Sequence, residues 1–136
     1  MLDGVKLTKL EQIHLENGDV FHAMKNTDPF YLNFGEAYFS FIQKGKIKGW
    51  KYHHQMTVNL VVPIGTVKFV VFDDTCKQFN TLVLGSQNYF RLTIMPQHWF
   101  AFQGYDDTNL ILNISNIPHD PSEYVTKPLE GIAYEW

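Results

Sequence analysis

The chain has 136 residues, 45% of them hydrophobic and 15% aromatic, with 11 basic against 14 acidic side chains. That composition excludes disorder and fits one domain over residues 1–136 with a core of its own. The net charge of −3 offers no broad basic face for nucleic acid, and the lone Cys76 excludes an intrachain disulfide, so a reducing cytoplasm is expected.

Read from the N-terminus, Met1–Leu7 lacks the basic start and apolar run of a secretory leader. No apolar run approaches a membrane span, so no membrane partner is expected. Thr8–Glu16 carries a pattern compatible with one short helix. From there strands dominate, because short runs of Val, Ile, Phe and Tyr alternate with turn residues at fairly regular intervals. The predicted strands are Val20–Lys25, Gly35–Gln43, Ile47–His53, Thr57–Val62, Thr66–Asp73, Phe79–Leu84, Tyr89–Met95, Trp99–Gly104 and Leu110–Ser115. Lys44-Gly45, Pro63-Ile64-Gly65, Asp73-Asp74, Gly85–Asn88 and Tyr105–Asp107 supply the turns. Ile117–Pro121 closes the strand-rich region, and Ser122–Trp136 is expected to pack back along its outside.

Strand alternation sorts the polar residues by face. Lys51 and His53 share one face of Ile47–His53, while Lys48, Trp50 and Tyr52 point the other way unless a bulge intervenes. An inward ammonium is costly without a partner, which makes Lys51 a candidate ligand contact or a lysine at a cavity mouth. Thr57, Asn59 and Val61 share a face and form a candidate polar lining. Tyr89, Arg91, Thr93 and Met95 form another row, with Arg91 either at solvent or in a pocket. Trp50, Trp99, Phe100 and Phe102 read as core or dimer packing, or, at a cavity mouth, as a surface on which a nucleobase or sugar stacks. The turn carboxylates Asp73, Asp74, Asp106, Asp107 and Asp120 read as solvated.

The stretch from Gly45 to Gly65 resembles the first cupin motif: glycine, five residues, His-x-His, three or four residues, Glu, six residues, glycine. Its histidine positions fall on Lys51 and His53, and its glutamate falls on Thr57 or Val58. In the second motif, Pro-x-Gly-x-x-His, Pro96 is kept, His98 stands at the glycine and Ala101 at the ligand. One ligand position of four survives, whereas transition-metal sites generally need three or more protein donors. Neither HExxH nor CxxC occurs. The expectation is a pocket with no metal and no cofactor.

The blocks Gly35–Ser40, Ile47–Lys51, Met56–Pro63, Phe102-Gln103-Gly104 and Asn113–Pro121 resemble the dTDP-4-dehydrorhamnose 3,5-epimerase-like cupins from about Gly18 onward. The resemblance implies an all-β jelly roll, or double-stranded β-helix, of two antiparallel sheets. It also implies a homodimer and a nucleotide-sugar ligand. The epimerases' Arg-Gly-Leu-His corresponds to Lys48-Gly49-Trp50-Lys51, so a lysine replaces both the phosphate-side arginine and the basic histidine. Their second histidine corresponds to Ala101, and their tyrosine acid lies on the strand matching Leu110–Ser115, which carries Asn113. The related sugar 3,4-ketoisomerases use a His-x-His pair here, of which His53 remains. The expected function is a metal-independent epimerase or isomerase of a nucleotide-linked 4-keto sugar in surface-polysaccharide biosynthesis. His53 and Lys51 are the expected catalytic residues, with Lys48, Asn59, Arg91 and Gln103 binding substrate. The alternative is a nonenzymatic cupin that binds a sugar nucleotide or similar anion.

Overall fold

Twelve strands are drawn together by apolar rows that only sandwiching can bury. The computed structural model describes residues 1–136. In chain order the strands are β1 (Val5–Lys9), β2 (Gln12–Ile13), β3 (Val20–Phe21), β4 (Glu36–Gln43), β5 (Ile47–His53) and β6 (Val58–Ile64). They continue as β7 (Thr66–Asp73), β8 (Gln78–Gly85), β9 (Phe90–Ile94), β10 (Trp99–Gly104), β11 (Thr108–Ser115) and β12 (Tyr124–Thr126). One sheet has the order β1-β9-β6-β11-β4 and the other β12-β5-β10-β7-β8, with antiparallel pairing throughout. This is the expected jelly roll of two facing sheets.

The helical reading of Thr8–Glu16 does not hold. Val5–Lys9 instead pairs residue for residue with β9, from Val5 opposite Ile94 to Lys9 opposite Phe90, and Gln12–Ile13 pairs with Val20–Phe21. Pairing on an existing edge satisfies more backbone groups than one isolated helical turn could. The other expected strands are present, with ends shifted by a few residues, except that only Val20–Phe21 of Val20–Lys25 is extended into a ladder.

Three apolar layers result. Val58, Leu60, Val62, Phe69, Val71, Leu92, Phe100 and Ile111 fill the space between the sheets. Trp50, Val70, Phe72, Trp99 and Ala101 lie on the outer face of the second sheet. The C-terminal segment covers them with Ile132, Tyr134 and Trp136, and Trp50 Nε1 donates to Leu129 O at 3.1 Å. The expected return of Ser122–Trp136 along the outside is therefore present, partly as β12 paired with β5. On the first sheet's outer face, Leu10, Val61 and Tyr89 pack with Phe21 and Ala23.

Arg91 anchors that N-terminal cover and contributes nothing to a ligand pocket. Its side chain is fully buried, donating to Ala23 O at 2.9 Å, Pro29 O at 3.0 Å and Asp28 Oδ2 at 3.1 Å. Asn59 also departs from its expected place. Val58, Leu60 and Val62 face the core, so Asn59 lies on the opposite face of β6, where it accepts from Thr93 Oγ1 at 2.6 Å. Polarity misled the assignment: the polar row of this strand is the one covered by the N-terminal segment.

The two glycines that frame the motif have conformational reasons. Gly45 (φ 75°) turns β4 into β5, and Gly65 (φ 85°) turns β6 into β7. Both lie in the left-handed region that L side chains avoid. At Gly65 a Cβ would also come within 2.3 Å of Thr108 O.

Replacing Arg91 with Met should strip two carbonyls and Asp28 of their donors, and lower stability by about 3 kcal/mol. Urea denaturation measures the loss; a change within experimental error would show that the N-terminal cover is held by other contacts.

Candidate active site

A cavity of about 220 Å³ opens between the two sheets, lined by residues of β4, β5, β6, β10 and β11. Leu60, Ile111, Phe100 and Phe102 make its apolar walls. Tyr38, Ser40, Lys48, Lys51, His53 and Asn113 supply its polar groups. His53, Lys51 and Lys48 are thus brought together, whereas Asn59, Arg91 and Gln103 are not. Gln103 alternates with Phe102 on β10 and its amide donates to Gly45 O at 3.3 Å, outside the cavity. Phe100 and Phe102 line the cavity rather than serving only as core.

Strand alternation alone would have turned Lys48 away from Lys51. The ladder between β5 and β10 resolves this: Lys51 faces Phe100 and Lys48 faces Phe102, so Gly49 and Trp50 together oppose Ala101. This one-residue bulge resets the parity of β5. It lets Trp50 enter the outer aromatic layer while Lys48, Lys51 and His53 all reach the cavity. Ala101, the position matched to the last cupin ligand, faces the outer layer with Trp50. No three His, Cys, Asp or Glu side chains converge anywhere in the chain. The cavity itself offers one imidazole, a donor set that does not fit a transition metal.

His53 is held by Glu123, which no motif in the sequence marks. Its Nδ1 lies 2.7 Å from Oε1 of Glu123, while Glu123 Oε2 accepts the backbone N–H groups of Gln55 at 2.8 Å and Met56 at 2.9 Å. A carboxylate on Nδ1 fixes the tautomer with the proton there, leaving Nε2 as the basic nitrogen. Burial pushes the His53 pKa below 6.5, and the hydrogen bond and charge of Glu123 oppose that shift. Burial acts to raise the Glu123 pKa, but the donors from Gln55, His53 and Met56 outweigh it and hold the carboxyl below its ordinary range. Glu123 lies in the run Asp120-Pro121-Ser122-Glu123, just ahead of β12, where nothing in the sequence separates it from a solvated turn carboxylate.

Lys48 donates to Ser40 Oγ at 2.8 Å and Phe41 O at 2.7 Å on β4, fastening its ammonium at the cavity edge. Burial, reinforced by the nearby charge of Lys51, lowers its pKa. Lys51 Nζ sits 4.6 Å from the centre of the Tyr124 ring, a cation–π contact from β12. Tyr38 is a second unforeseen member. It lies directly opposite Asn113 in the β4–β11 ladder, and Asn113 Nδ2 donates to its hydroxyl at 2.9 Å. Burial raises the Tyr38 pKa, Asn113 opposes the shift and Glu36 adds to it, so the phenol keeps its proton. The alternation Tyr38-Ser40-Ile42 along β4 carried the available signal, since Ile42 belongs to the core and fixes which face is inward.

A jelly-roll cupin with a lysine- and histidine-lined cavity is the class these features define. The chain belongs to the family described as "FdtA: WxcM-like, C-terminal", whose model matches residues 3–134. Among solved structures it is similar to a dTDP sugar isomerase from Desulfovibrio desulfuricans, at 34% identity and a TM-score of 0.91, over 95% of this chain and 87% of that one. Two more distant structures share the fold. One is the 3,4-ketoisomerase QdtA from Thermoanaerobacterium thermosaccharolyticum, a mutant in complex with TDP-4-keto-6-deoxyglucose (19% identity, TM-score 0.80, 92% of this chain and 88% of that one). The other is the 3,5-epimerase RmlC from Legionella pneumophila in complex with dTDP-4-keto-L-rhamnose (18% identity, TM-score 0.80, 92% and 73%). No curated protein sequence matches this chain.

The His53–Glu123 pair makes a pH prediction. The fold disfavours protonated His53, so the unfolded chain takes up protons first as pH falls below 6.5, and stability declines through that window. Glu123, held ionised, adds a second loss at lower pH. NMR titration should put the His53 pKa below 6.5, and Glu123→Gln should lower it further by removing the opposing charge. An upward shift in that variant would contradict the assignment.

Proposed function

We propose that this chain is a metal-independent epimerase or isomerase of a nucleotide-linked 4-keto sugar, working by proton transfer at the carbon beside the ketone. The observation that carries the reading is His53, oriented through Nδ1 by Glu123 with its other nitrogen left for the cavity. The family match and the likeness to a dTDP sugar isomerase support the substrate class. A cavity of about 220 Å³ suits the hexose, with the nucleotide lying across the mouth. We read residues 1–136 as one cupin domain, consistent with a family match over residues 3–134.

In this mechanism His53 Nε2 removes the proton, and electrons from the C–H bond move onto the ketone oxygen to form an enolate. Tyr38 donates to that oxygen, and the Lys51 ammonium stabilises its developing charge. Delivery of a solvent proton to the opposite face of the same carbon, with His53 releasing to solvent the proton it removed, gives epimerisation. Return of the proton instead to the former carbonyl carbon, with a hydroxyl proton shifting between oxygens, gives isomerisation. Lys48, at the cavity edge, attracts the diphosphate as a point charge rather than as a two-pronged arginine clamp.

The assembly is a homodimer on this reading. Phe39 and Phe41 on edge strand β4 are 65% and 64% exposed, and across the sheet Phe41 aligns with Leu110 and then the exposed Ile64. An apolar row continuous with an open strand edge calls for a partner, and a second copy supplies matching chemistry. The cell compartment is read as cytoplasmic and the product as a precursor of surface polysaccharide. A lone exposed Cys76 fits a reducing compartment, and no helix is long and apolar enough to cross a membrane.

With TDP-4-keto-6-deoxyglucose in deuterium oxide, wild type should catalyse exchange beside the ketone, unaffected by chelators. His53→Ala should lower the rate by roughly 10²–10⁴-fold, and Lys51→Met by about 10²-fold, with folds intact by circular dichroism. A wild type inert toward a panel of nucleotide-linked 4-keto sugars would overturn the proposal. Light scattering should report a dimer that Phe39→Lys with Phe41→Lys converts to monomer. A wild type that is monomeric at all accessible concentrations would refute that interface.

A further inference from the structure

Asn113 shares the inner row of β11 with Asn109, Ile111 and Ser115, and it is the one polar member of that row with a buried side-chain atom lacking a hydrogen-bond partner. Ile111 precedes it on the same face, and its ladder neighbours are Tyr38 on β4 and Leu60 on β6. The residue is only 7% exposed, its Nδ2 is engaged by the Tyr38 hydroxyl, and its Oδ1 is buried without any hydrogen-bond partner. A buried acceptor left unsatisfied destabilises the fold, and an apolar side chain of similar size would pack here without that penalty. Asn113 lines the cavity, so this acceptor stands open to a donor brought into the cavity.

The chemistry of that partner is restricted. A ketone oxygen and a phosphate diester oxygen are acceptors, so neither can satisfy Oδ1, whereas a sugar hydroxyl can. Tyr38 complements it: because its oxygen accepts from Asn113, its own O–H is free to donate. The pair thus presents a donor and an acceptor side by side, the mirror pattern of a ketone flanked by a hydroxyl.

We propose that Asn113 is a specificity and positioning residue that selects an α-hydroxy ketone sugar, its Oδ1 accepting from the hydroxyl beside the ketone while its Nδ2 aims the Tyr38 hydroxyl at the ketone oxygen. This rests on the reading of the cavity as a keto-sugar site. Isomerisation already consumes the adjacent hydroxyl; what is added is that binding itself, for epimerisation as well, rejects a keto sugar lacking it, and that Asn113 is the residue responsible. A site built to bond a hydroxyl discriminates strongly against an analogue without it, since the protein acceptor is then stranded.

The test compares TDP-4-keto-6-deoxyglucose with TDP-4-keto-3,6-dideoxyglucose, which lacks the hydroxyl beside the ketone. Binding is measured by calorimetry in a His53→Ala background, so that affinity is read without turnover. The hydroxylated sugar should bind roughly 10–100-fold more tightly. Asn113→Leu and Asn113→Ala should each erase the preference, while Asn113→Asp, which keeps an acceptor, should retain it. The Tyr38 titration, taken as the absorbance difference from Tyr38→Phe, should move to higher pH in Asn113→Leu and Asn113→Ala as the amide donor is lost. A preference that survives both apolar substitutions overturns the hydroxyl contact, and an unmoved Tyr38 titration overturns the positioning role. If the preference appears as expected but wild type exchanges no deuterium, the catalytic reading falls and the selectivity stands. If neither sugar binds, both fall together.

Discussion

The hydrogen bond between His53 Nδ1 and Glu123 Oε1 decides what the cavity can do. It spans 70 residues of sequence and joins the last residue of β5 to the chain just ahead of β12. Without the carboxylate, a buried imidazole would have no fixed tautomer and would lose still more basicity to desolvation. With it, Nδ1 is committed to the fold and Nε2 is left for the cavity. The same carboxylate takes the amides of Gln55 and Met56, so the chain leaving β5 is fixed by the group that orients His53.

A second constraint comes from backbone geometry. The bulge at Gly49 and Trp50 allows one strand to serve two layers, sending Trp50 outward to the C-terminal aromatic cover and Lys48 inward beside Lys51. Two lysines on one wall make the cavity attractive to an anion, and each is held from outside β5, Lys48 by β4 and Lys51 by the ring of Tyr124. The β12 segment thus holds both His53 and Lys51. Its docking on β5 is part of the site rather than an appendage to it.

The fold was legible because strand periodicity, turn residues and the framing glycines Gly45 and Gly65 all reported the same architecture. His53 and Lys51 were legible because they share parity on a strand without an interruption between them. Lys48 needed the bulge, which depends on how β5 meets β10 and leaves no mark in β5 alone. Asn59 and Arg91 differ from expectation for one reason: a polar row on a strand reads as facing a ligand, yet here both face a protein cover formed by residues 10–30. Glu123 was illegible because its importance lies in a contact 70 residues away. Tyr38 was overshadowed by Asn113, read as the loss of a tyrosine, although the cross-strand neighbour returns a phenol to the same wall.

The central claim is that His53 Nε2 faces the reacting carbon of a keto sugar held inside the barrel. A crystal structure of the His53→Asn variant with TDP-4-keto-6-deoxyglucose tests it most directly. The account predicts the hexose between Phe100, Phe102 and Leu60, with the carbon beside the ketone about 3–3.5 Å from where Nε2 stands in wild type. The ketone oxygen should lie toward Tyr38. A hexose bound outside the cavity, or one whose ketone points away from both Tyr38 and residue 53, would contradict it.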